Sequence, residues 1–376
     1  MHTICLKIRL LPSKAQETVL ETTLETCRIL YNRLLAERKD AWEESKLSLS
    51  CFEQQKHIKA WAEENEYLPR VHSQVRQNVA VRVDLAFKAF FRRVKAGQTP
   101  GYPRFRGRGR YDSYTHPQSG FELQDDAVKL SKVGVVKAIV HRQIEGTMKT
   151  CTVRRQNGKW FACLAVEVED VPLEPNGLAV GIDVGLSNFA TLSNGEQIAN
   201  PRFYREEEVA LAQAQRRLSQ FDKGTVQRLK ARKVVARIHE RIRNRRHNFV
   251  HQEARKIVNR FEVIAVEKLN VKGMTKTHCL AKSIGDASWT MFRTVLSQKA
   301  ESAARKFAEV NPAFTSQDCH ACGYRAKKKL SERWHHCPMC AASLDRDLNA
   351  ALNILSLGLQ RIGIQSVEAP PFMAGE

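Results

Sequence analysis

The sequence predicts a mixed α/β multidomain fold, and three observations carry that expectation. Short apolar runs such as LAVGID and FEVIAVE alternate with long amphipathic helical segments. A chain of 376 residues is long enough for two or three packed units. Four cysteines, spaced C-x2-C-x14-C-x2-C, mark a small metal-held module in the second half.

From the N-terminus, residues 1–10 read as a short strand. After Pro12, KAQETVLETTLETCRILYNRLLAERKDAWEE has the apolar spacing of a long amphipathic helix, and further helices fit residues 51–65 and 70–96. Gly, Pro and Arg break the pattern over residues 95–114. Residues 121–169 alternate as short β segments, with Asn157-Gly158 a hairpin turn. After VPLEPNG, residues 178–195 read as two strands joined at a glycine turn, and residues 203–260 as mostly helical. FEVIAVEKL is a β segment ending at Glu267, residues 288–310 return to helix, and DRDLNAALNILSLGLQ opens a last helix.

The formal charge is +21 with a pI near 9.7, an excess that favours a polyanionic partner, nucleic acid first. No apolar run reaches the ~20 residues of a spanning helix. MHTICLKIRLLPSKAQ lacks both the apolar core and the small-residue cleavage site of a secretion signal. A cytoplasmic protein with no membrane partner is expected. Cys5, Cys27, Cys51, Cys151, Cys163 and Cys279 are scattered and fit free thiols rather than a disulfide framework.

Cys319, Cys322, Cys337 and Cys340 form two knuckles that can converge on one tetrahedral ion. Thiolates favour structural Zn²⁺, and the same ligands also suit iron. His320, His335 and His336 adjoin them and are expected to pack or contact nucleic acid, while Trp334 either covers the ribbon or stacks on a base.

Asp183 ends an apolar strand between Gly181 and Gly185, Glu267 ends a second, and Asp347 opens a helix. Each alone reads equally as a cap, turn or surface carboxylate. Together they supply the oxygen ligands with which Mg²⁺ or Mn²⁺ activates water against a phosphodiester.

Lys and Arg far outnumber Asp and Glu over residues 203–260, where Arg216, Arg217, Arg232, Lys233, Arg237, Arg241, Arg245 and Arg246 are candidate phosphate contacts or a solvated face. Arg104, Arg106, Arg108 and Arg110 alternate with glycines beside Tyr102 and Phe105, fitting phosphate forks with a stacking ring or a tethered loop whose Phe105 plugs the β domain. Lys272 and Lys276 lie in a polar, glycine-containing connection over residues 270–288, either a movable element beside Glu267 or an ordinary surface loop.

GIDVGLSNFA, VEKLN and TSQDCHACGY…CPMCAASLDRDLNAALNIL closely resemble the split RuvC-like nuclease and zinc ribbon of TnpB proteins, the RNA-guided nucleases of bacterial insertion sequences and presumed ancestors of type V CRISPR effectors. TICLKIRLLPSKAQ…CRILYNRLL and YPRFR extend the likeness over nearly the whole chain to about residue 358. The resemblance implies catalytic roles for Asp183, Glu267 and Asp347, with Asp345 supporting, and ribbon ligands at the four cysteines. Lys268, where an acidic or polar residue often follows the glutamate, and Ala341, where glycine often follows the fourth cysteine, depart from the pattern without removing a ligand.

It further implies a RuvC-like (RNase H-like) domain over residues 178–314 and 341–358, a zinc ribbon over 315–340, and a flexible tail over 359–376. Residues 1–11 and 97–172 would form a wedge-like β-barrel interrupted by a helical recognition lobe at 12–96. The implied activity is metal-dependent, RNA-guided DNA cleavage linked to an IS200/IS605-like element, on the nucleoid when engaged. Guide RNA from the element end and target DNA would be the partners, with no protein partner implied. A nuclease-silent RNA-guided binder is the alternative, and a DNA-strand transferase a lesser one.

Overall fold

The computed structural model describes residues 1–141, 144–276, 278–329 and 332–364. The chain divides into two compact units, Met1–Glu169 and Asp170–Glu376.

In the first unit, strand β1 (His2–Leu11) turns alternate residues inward, with Ile8 and Leu10 buried. Pro12 ends it, and Ser13 caps helix α1 (Lys14–Ser45). The Ser13 hydroxyl accepts from the Gln16 amide at 3.3 Å while the Gln16 side chain accepts from the Ser13 amide at 3.0 Å. Ser50 and Glu53 repeat this box at helix α2 (Cys51–Glu64). Leu20, Leu24, Cys27, Tyr31 and Leu34 of α1 fall three or four residues apart and are buried in one core with Val75, Val79 and Val83 of helix α3 (Ser73–Lys95).

Six more strands follow: β2 (Ser113–His116), β3 (Phe121–Leu123), β4 (Ala127–Leu130), β5 (Gly134–Ile139), β6 (Thr147–Gln156) and β7 (Lys159–Val168). Gln156 pairs with Lys159 across Asn157 and Gly158, whose φ values of 52° and 73° meet the demand of a two-residue hairpin turn. The sheet order is β2-β6-β7-β1-β5-β4-β3, antiparallel throughout. Where a closed barrel was expected, β2 and β3 stand at opposite ends of the ladder among the described residues.

The second unit contains β8 (Ala179–Val184), β9 (Asn188–Leu192), β10 (Gln197–Ala199), α4 (Phe203–Ser219), α5 (Val226–Arg260) and β11 (Val263–Glu267). It continues through α6 (Val271–Met274), α7 (His278–Ala287), α8 (Trp289–Ser302), β12 (Lys306–Val310), β13 (Trp334–His336), β14 (Ser343–Asp345) and α9 (Arg346–Ile362). Its main sheet runs β10-β9-β8-β11-β12: an antiparallel meander followed by β11 and β12 parallel to β8. Both faces are covered, which is why these strands read as continuous apolar runs. Val180, Ile182, Ile264 and Val266 share a core with α5 and α8, whereas Ala179, Val263, Ala265 and Ala308 meet Ile354, Leu355 and Leu359 of α9.

Helix α9 approaches the sheet closely because two glycines lack side chains. A Cβ on Gly181 would stand 2.1 Å from the Ala351 carbonyl oxygen, and one on Gly358 would stand 2.3 Å from the Ala265 Cβ. Gly358→Ala is expected to lower stability by about 1–3 kcal/mol through overpacking. An unshifted midpoint in chemical denaturation would contradict this account of the contact.

Three segments differ from the sequence-based expectation. Residues 288–310 are not one helix: the chain turns at Ala303 and Ala304, the latter at φ 55°, and Lys306–Val310 pairs in register with β11. Within 270–288, Val271–Met274 forms α6 and His278–Ala287 forms α7 where a loop or movable connection was expected, with the Asn270 side chain capping α6 by accepting from the Gly273 amide at 3.1 Å. Helix α9 reaches Ile362, into the segment expected to be loose, and the tail beyond 364 lies outside the described residues. Among the described residues, no helix is long and apolar enough to cross a membrane.

Candidate carboxylate and cysteine sites

Parallel pairing sets the first two carboxylates side by side. The β8–β11 ladder ends with Ile182 opposite Val266, and the next residue on each strand is Asp183 and Glu267. Both leave the carboxyl ends of neighbouring parallel strands, where open α/β sheets present their sites. Asp347 lies in the first turn of α9. The preceding Asp345 is engaged as the helix cap, accepting from the amides of Asp347 at 2.8 Å and Leu348 at 3.1 Å.

The electrostatics tie the three together. Burial pushes the Asp183 carboxyl well above the usual range, Glu267 and then Asp347 push it further, and Arg346 opposes them. Glu267 is also raised, again by burial, with a hydrogen bond from Thr315 in opposition. Asp347 meets Arg346 at 3.0 Å and Arg333 at 3.7 Å. The carboxylates are less tightly gathered than the thiols. Among the described residues, only the four cysteines bring three or more Cys, His, Asp or Glu ligand atoms within 4.8 Å of one another.

Thr315 is a site residue the sequence did not single out. Buried, it donates from Oγ1 to the Glu267 carboxylate at 2.5 Å, while its carbonyl accepts from the Asn353 side chain at 2.8 Å. Asn353 also donates to the Asp318 carbonyl at 2.7 Å, joined there by buried Asn349 at 2.8 Å. Two asparagines four residues apart on α9 therefore hold the segment that orients Glu267. Thr315→Val is expected to cut turnover by about tenfold to a hundredfold, with serine restoring it, because the orienting donor is lost. Full turnover in the valine variant, measured against an unchanged melting temperature, would remove Thr315 from this role.

In the cysteine cluster, Sγ of Cys319 lies 3.6 Å from that of Cys340, and Cys322 lies 3.5 Å from Cys337. These separations approach the edge of a tetrahedron with metal–sulfur bonds of about 2.3 Å. Against burial, the backbone of Cys340 and Met339 and the neighbouring thiols lower the Cys337 thiol to about 6. Against the Tyr324 backbone, burial and the neighbouring thiols raise Cys322 to about 12, and against the Ala342 backbone they raise Cys340. The donor set suits a structural zinc ion. The adjoining histidines stay out of it: His320 faces Asn349, and buried His335 faces Lys328. Trp334 is half-exposed, with its indole N–H donating to Ser343 Oγ at 2.7 Å.

The basic candidates divide by environment. Arg104, Arg106, Arg108 and Arg110 are exposed in the first unit, where the Arg106 backbone is pinned to α1 by Arg28 and Asn32. Tyr102 packs edge-on against Phe87 and Phe90, and Phe105 is exposed rather than a plug. In the second unit Arg216, Arg217, Arg232, Lys233, Arg237, Lys272 and Lys276 are exposed. Three arginines instead bind within the protein. Arg241 pairs with Glu207 at 2.9 Å, Arg245 with Glu206 at 2.6 Å, and Arg246 with buried Asp286 at 2.6 Å. Asp286 also accepts from the Tyr204 amide, so Arg246 serves the packing of α4, α5 and α7.

Comparison with known proteins agrees with this layout. A family model described as a probable transposase, OrfB of IS605, matches residues 163–278. A Cas12f1-like TNB domain matches residues 289–354, and a helix-turn-helix domain of the OrfB type matches 1–46, here β1 followed by the single helix α1. The chain is 34% identical over 362 residues to a candidate RNA-guided DNA endonuclease of Streptomyces pristinaespiralis, covering 94% of this chain and 89% of that protein. It is 29% identical over 372 residues to InsQ of Escherichia coli (strain K12), likewise described as a candidate RNA-guided DNA endonuclease, covering 94% and 91%. The solved Cas12f1–sgRNA–target DNA complex shares the fold at a TM-score of 0.61 over 94% of this chain and 98% of that one, at 13% identity. The mini-RNA-guided endonuclease Cas_phi3 does so at 0.51 over 98% and 94%, at 8% identity. Identity of this extent, running through the strands that carry Asp183 and Glu267 and the helix that carries Asp347, places the chain in the TnpB family of IS200/IS605-type RNA-guided nucleases.

Proposed function

We propose that this protein is an RNA-guided DNA endonuclease that hydrolyses target phosphodiesters at Asp183, Glu267 and Asp347. The observation that carries the reading is the pairing of Asp183 and Glu267 at the ends of adjacent parallel strands, with Asp347 acting on Asp183 from α9. The strand order β10-β9-β8-β11-β12 supports a RuvC-like, RNase H-like core. The three carboxylates fit Mg²⁺ or Mn²⁺ as hard oxygen donors whose mutual repulsion a cation would relieve. When bound, that ion supplies Lewis-acid activation of water and of the leaving oxygen. The chain's own work is to hold the ligands: β8 and β11 fix two of them, the Asp345 cap fixes the start of α9, and Thr315 orients Glu267.

In this reading Cys319, Cys322, Cys337 and Cys340 hold Zn²⁺ in a ribbon inserted ahead of the last carboxylate. Residues 1–11 and 97–172 form the wedge-like domain, 12–96 the recognition lobe, and 178–314 with 341–358 the nuclease. Guide RNA and target DNA are the partners, met by the exposed arginines and lysines, in the cytoplasm and on the nucleoid. Sequencing of RNA that co-purifies with the protein is expected to return one discrete species from the end of the encoding element. Random fragments alone, together with no stimulation of cleavage by element-end RNA, would refute the guided mechanism.

A further inference from the structure

One indole of the second unit is buried without a partner for its N–H. Trp289 is 5% exposed, and its Nε1 has no hydrogen-bonding partner. A buried indole N–H ordinarily finds an acceptor, so an orphaned one calls for a group that meets it.

The local fold places this ring beside a carboxylate. Helix α7 ends at Ala287, Ser288 turns the chain at φ 59°, and Trp289 opens α8. Trp289, Phe292 and Arg293 fall three and four residues apart and so share one face of that helix. A cavity of about 20 Å³ lies against this face, lined by Trp289, Thr290 and Arg293 of α8, by Glu267 and Leu269 at the exit of β11, and by Val184 of β8.

Size and polarity decide what fits there. One water needs roughly 10–15 Å³ and two to four polar partners. The cavity exceeds that volume and brings an unmatched donor and a carboxylate into one lining. A phosphate group or a hydrated cation needs several times the room. Arg293 is committed elsewhere, its Nε meeting Glu309 at 3.2 Å, which leaves the indole as the donor. Away from the cavity, Trp289 shares a core with Val266, Ile284, Phe292 and Leu296, whose side chains offer no acceptor. Thr315 already donates to Oε1 of Glu267. A water between indole and carboxylate supplies a second fixed donor and restrains the carboxylate from turning about its last bond.

We propose that Trp289 is a positioning residue for Glu267, acting through one buried water that accepts from the indole N–H and donates to the carboxylate. The effect on rate rests on the endonuclease function proposed above, whereas the water does not. The test uses the full-length chain labelled at the tryptophan indole nitrogens, with the Trp289 signal assigned by its loss in Trp289→Phe. Its indole proton should receive magnetisation from a long-lived water, and should still do so in Thr290→Val, which removes the hydroxyl that lines the cavity. No transfer, or transfer that disappears in Thr290→Val, overturns the buried water. Rate is then read with benzothienylalanine in place of Trp289, which keeps two fused rings and exchanges the N–H for sulfur. Guided cleavage should lose at least about tenfold in kcat, with KM and melting temperature unchanged. An unchanged kcat overturns the positioning role. A wild-type protein that shows the water and cleaves no DNA under guidance would sink the endonuclease reading and leave the water standing.

Discussion

Asp183→Ala is expected to lower guided DNA cleavage by about a thousandfold or more while RNA stays bound, because it deletes one of the three carboxylates of the proposed metal site. Equal cleavage by wild type and variant, assayed on a plasmid with Mg²⁺, would end the assignment. The same residue predicts a stability effect of opposite sign. Burial, then Glu267 and Asp347, holds the folded Asp183 carboxyl above its ordinary range, so the folded state keeps this proton when the unfolded chain has lost it. Metal-free protein therefore loses stability as pH rises from the ordinary aspartate range toward the raised value. Asp183→Asn removes that cost. Without metal at neutral pH it is expected to melt above wild type, and Mg²⁺ is expected to raise the wild-type melting temperature and leave the variant's unchanged. A variant that melts below wild type would show that the carboxylate is held for structure.

Zinc removal carries the second large effect. The ribbon has little core of its own: Cys319, His335 and Cys337 are buried, while Cys322, Cys340 and Met339 are exposed. Structural zinc contributes on the order of 10–16 kcal/mol in small isolated domains, so a zinc ion at the four cysteines is expected to hold the fold of this segment. The loss would spread to the carboxylates through named bonds. The Arg346 amide donates to the Arg333 carbonyl at 2.9 Å, β14 runs directly into α9, and Asn349 and Asn353 hold Asp318. About one zinc per chain is expected by metal analysis. Cys337→Ser, or chelation, should lose it and reduce cleavage by about a hundredfold, through displacement of Asp347 and Thr315. A zinc-free protein that cleaves at the wild-type rate would uncouple the ribbon from the site.

What could be read from the sequence follows from how local each signal is. Asn157-Gly158 is complete within two residues and forms the expected turn, and the capping boxes Ser13-x-x-Gln16 and Ser50-x-x-Glu53 are equally local signals that the sequence reading passed over. LAVGID and FEVIAVE are apolar because both faces of their sheet are covered, which also marks their terminal carboxylates. KFAEV is five residues long and follows a helix with no glycine or proline between, so only its register with β11 makes it a strand. Thr315 meets Glu267 across 48 residues and Arg246 meets Asp286 across 40, contacts that no spacing rule connects. Composition places Arg246 among phosphate contacts, whereas the fold commits it to a buried carboxylate.

The central claim is that bound RNA chooses the bond that the carboxylates cut. The direct test assembles the purified protein with element-end RNA carrying either of two guides, and offers each complex two plasmids that differ only in the matching target. The account predicts that cleavage follows the guide, requires Mg²⁺, and disappears with Asp183→Ala in both pairings. Cleavage of both plasmids regardless of guide, or guide-matched cleavage that persists in Asp183→Ala, would contradict it.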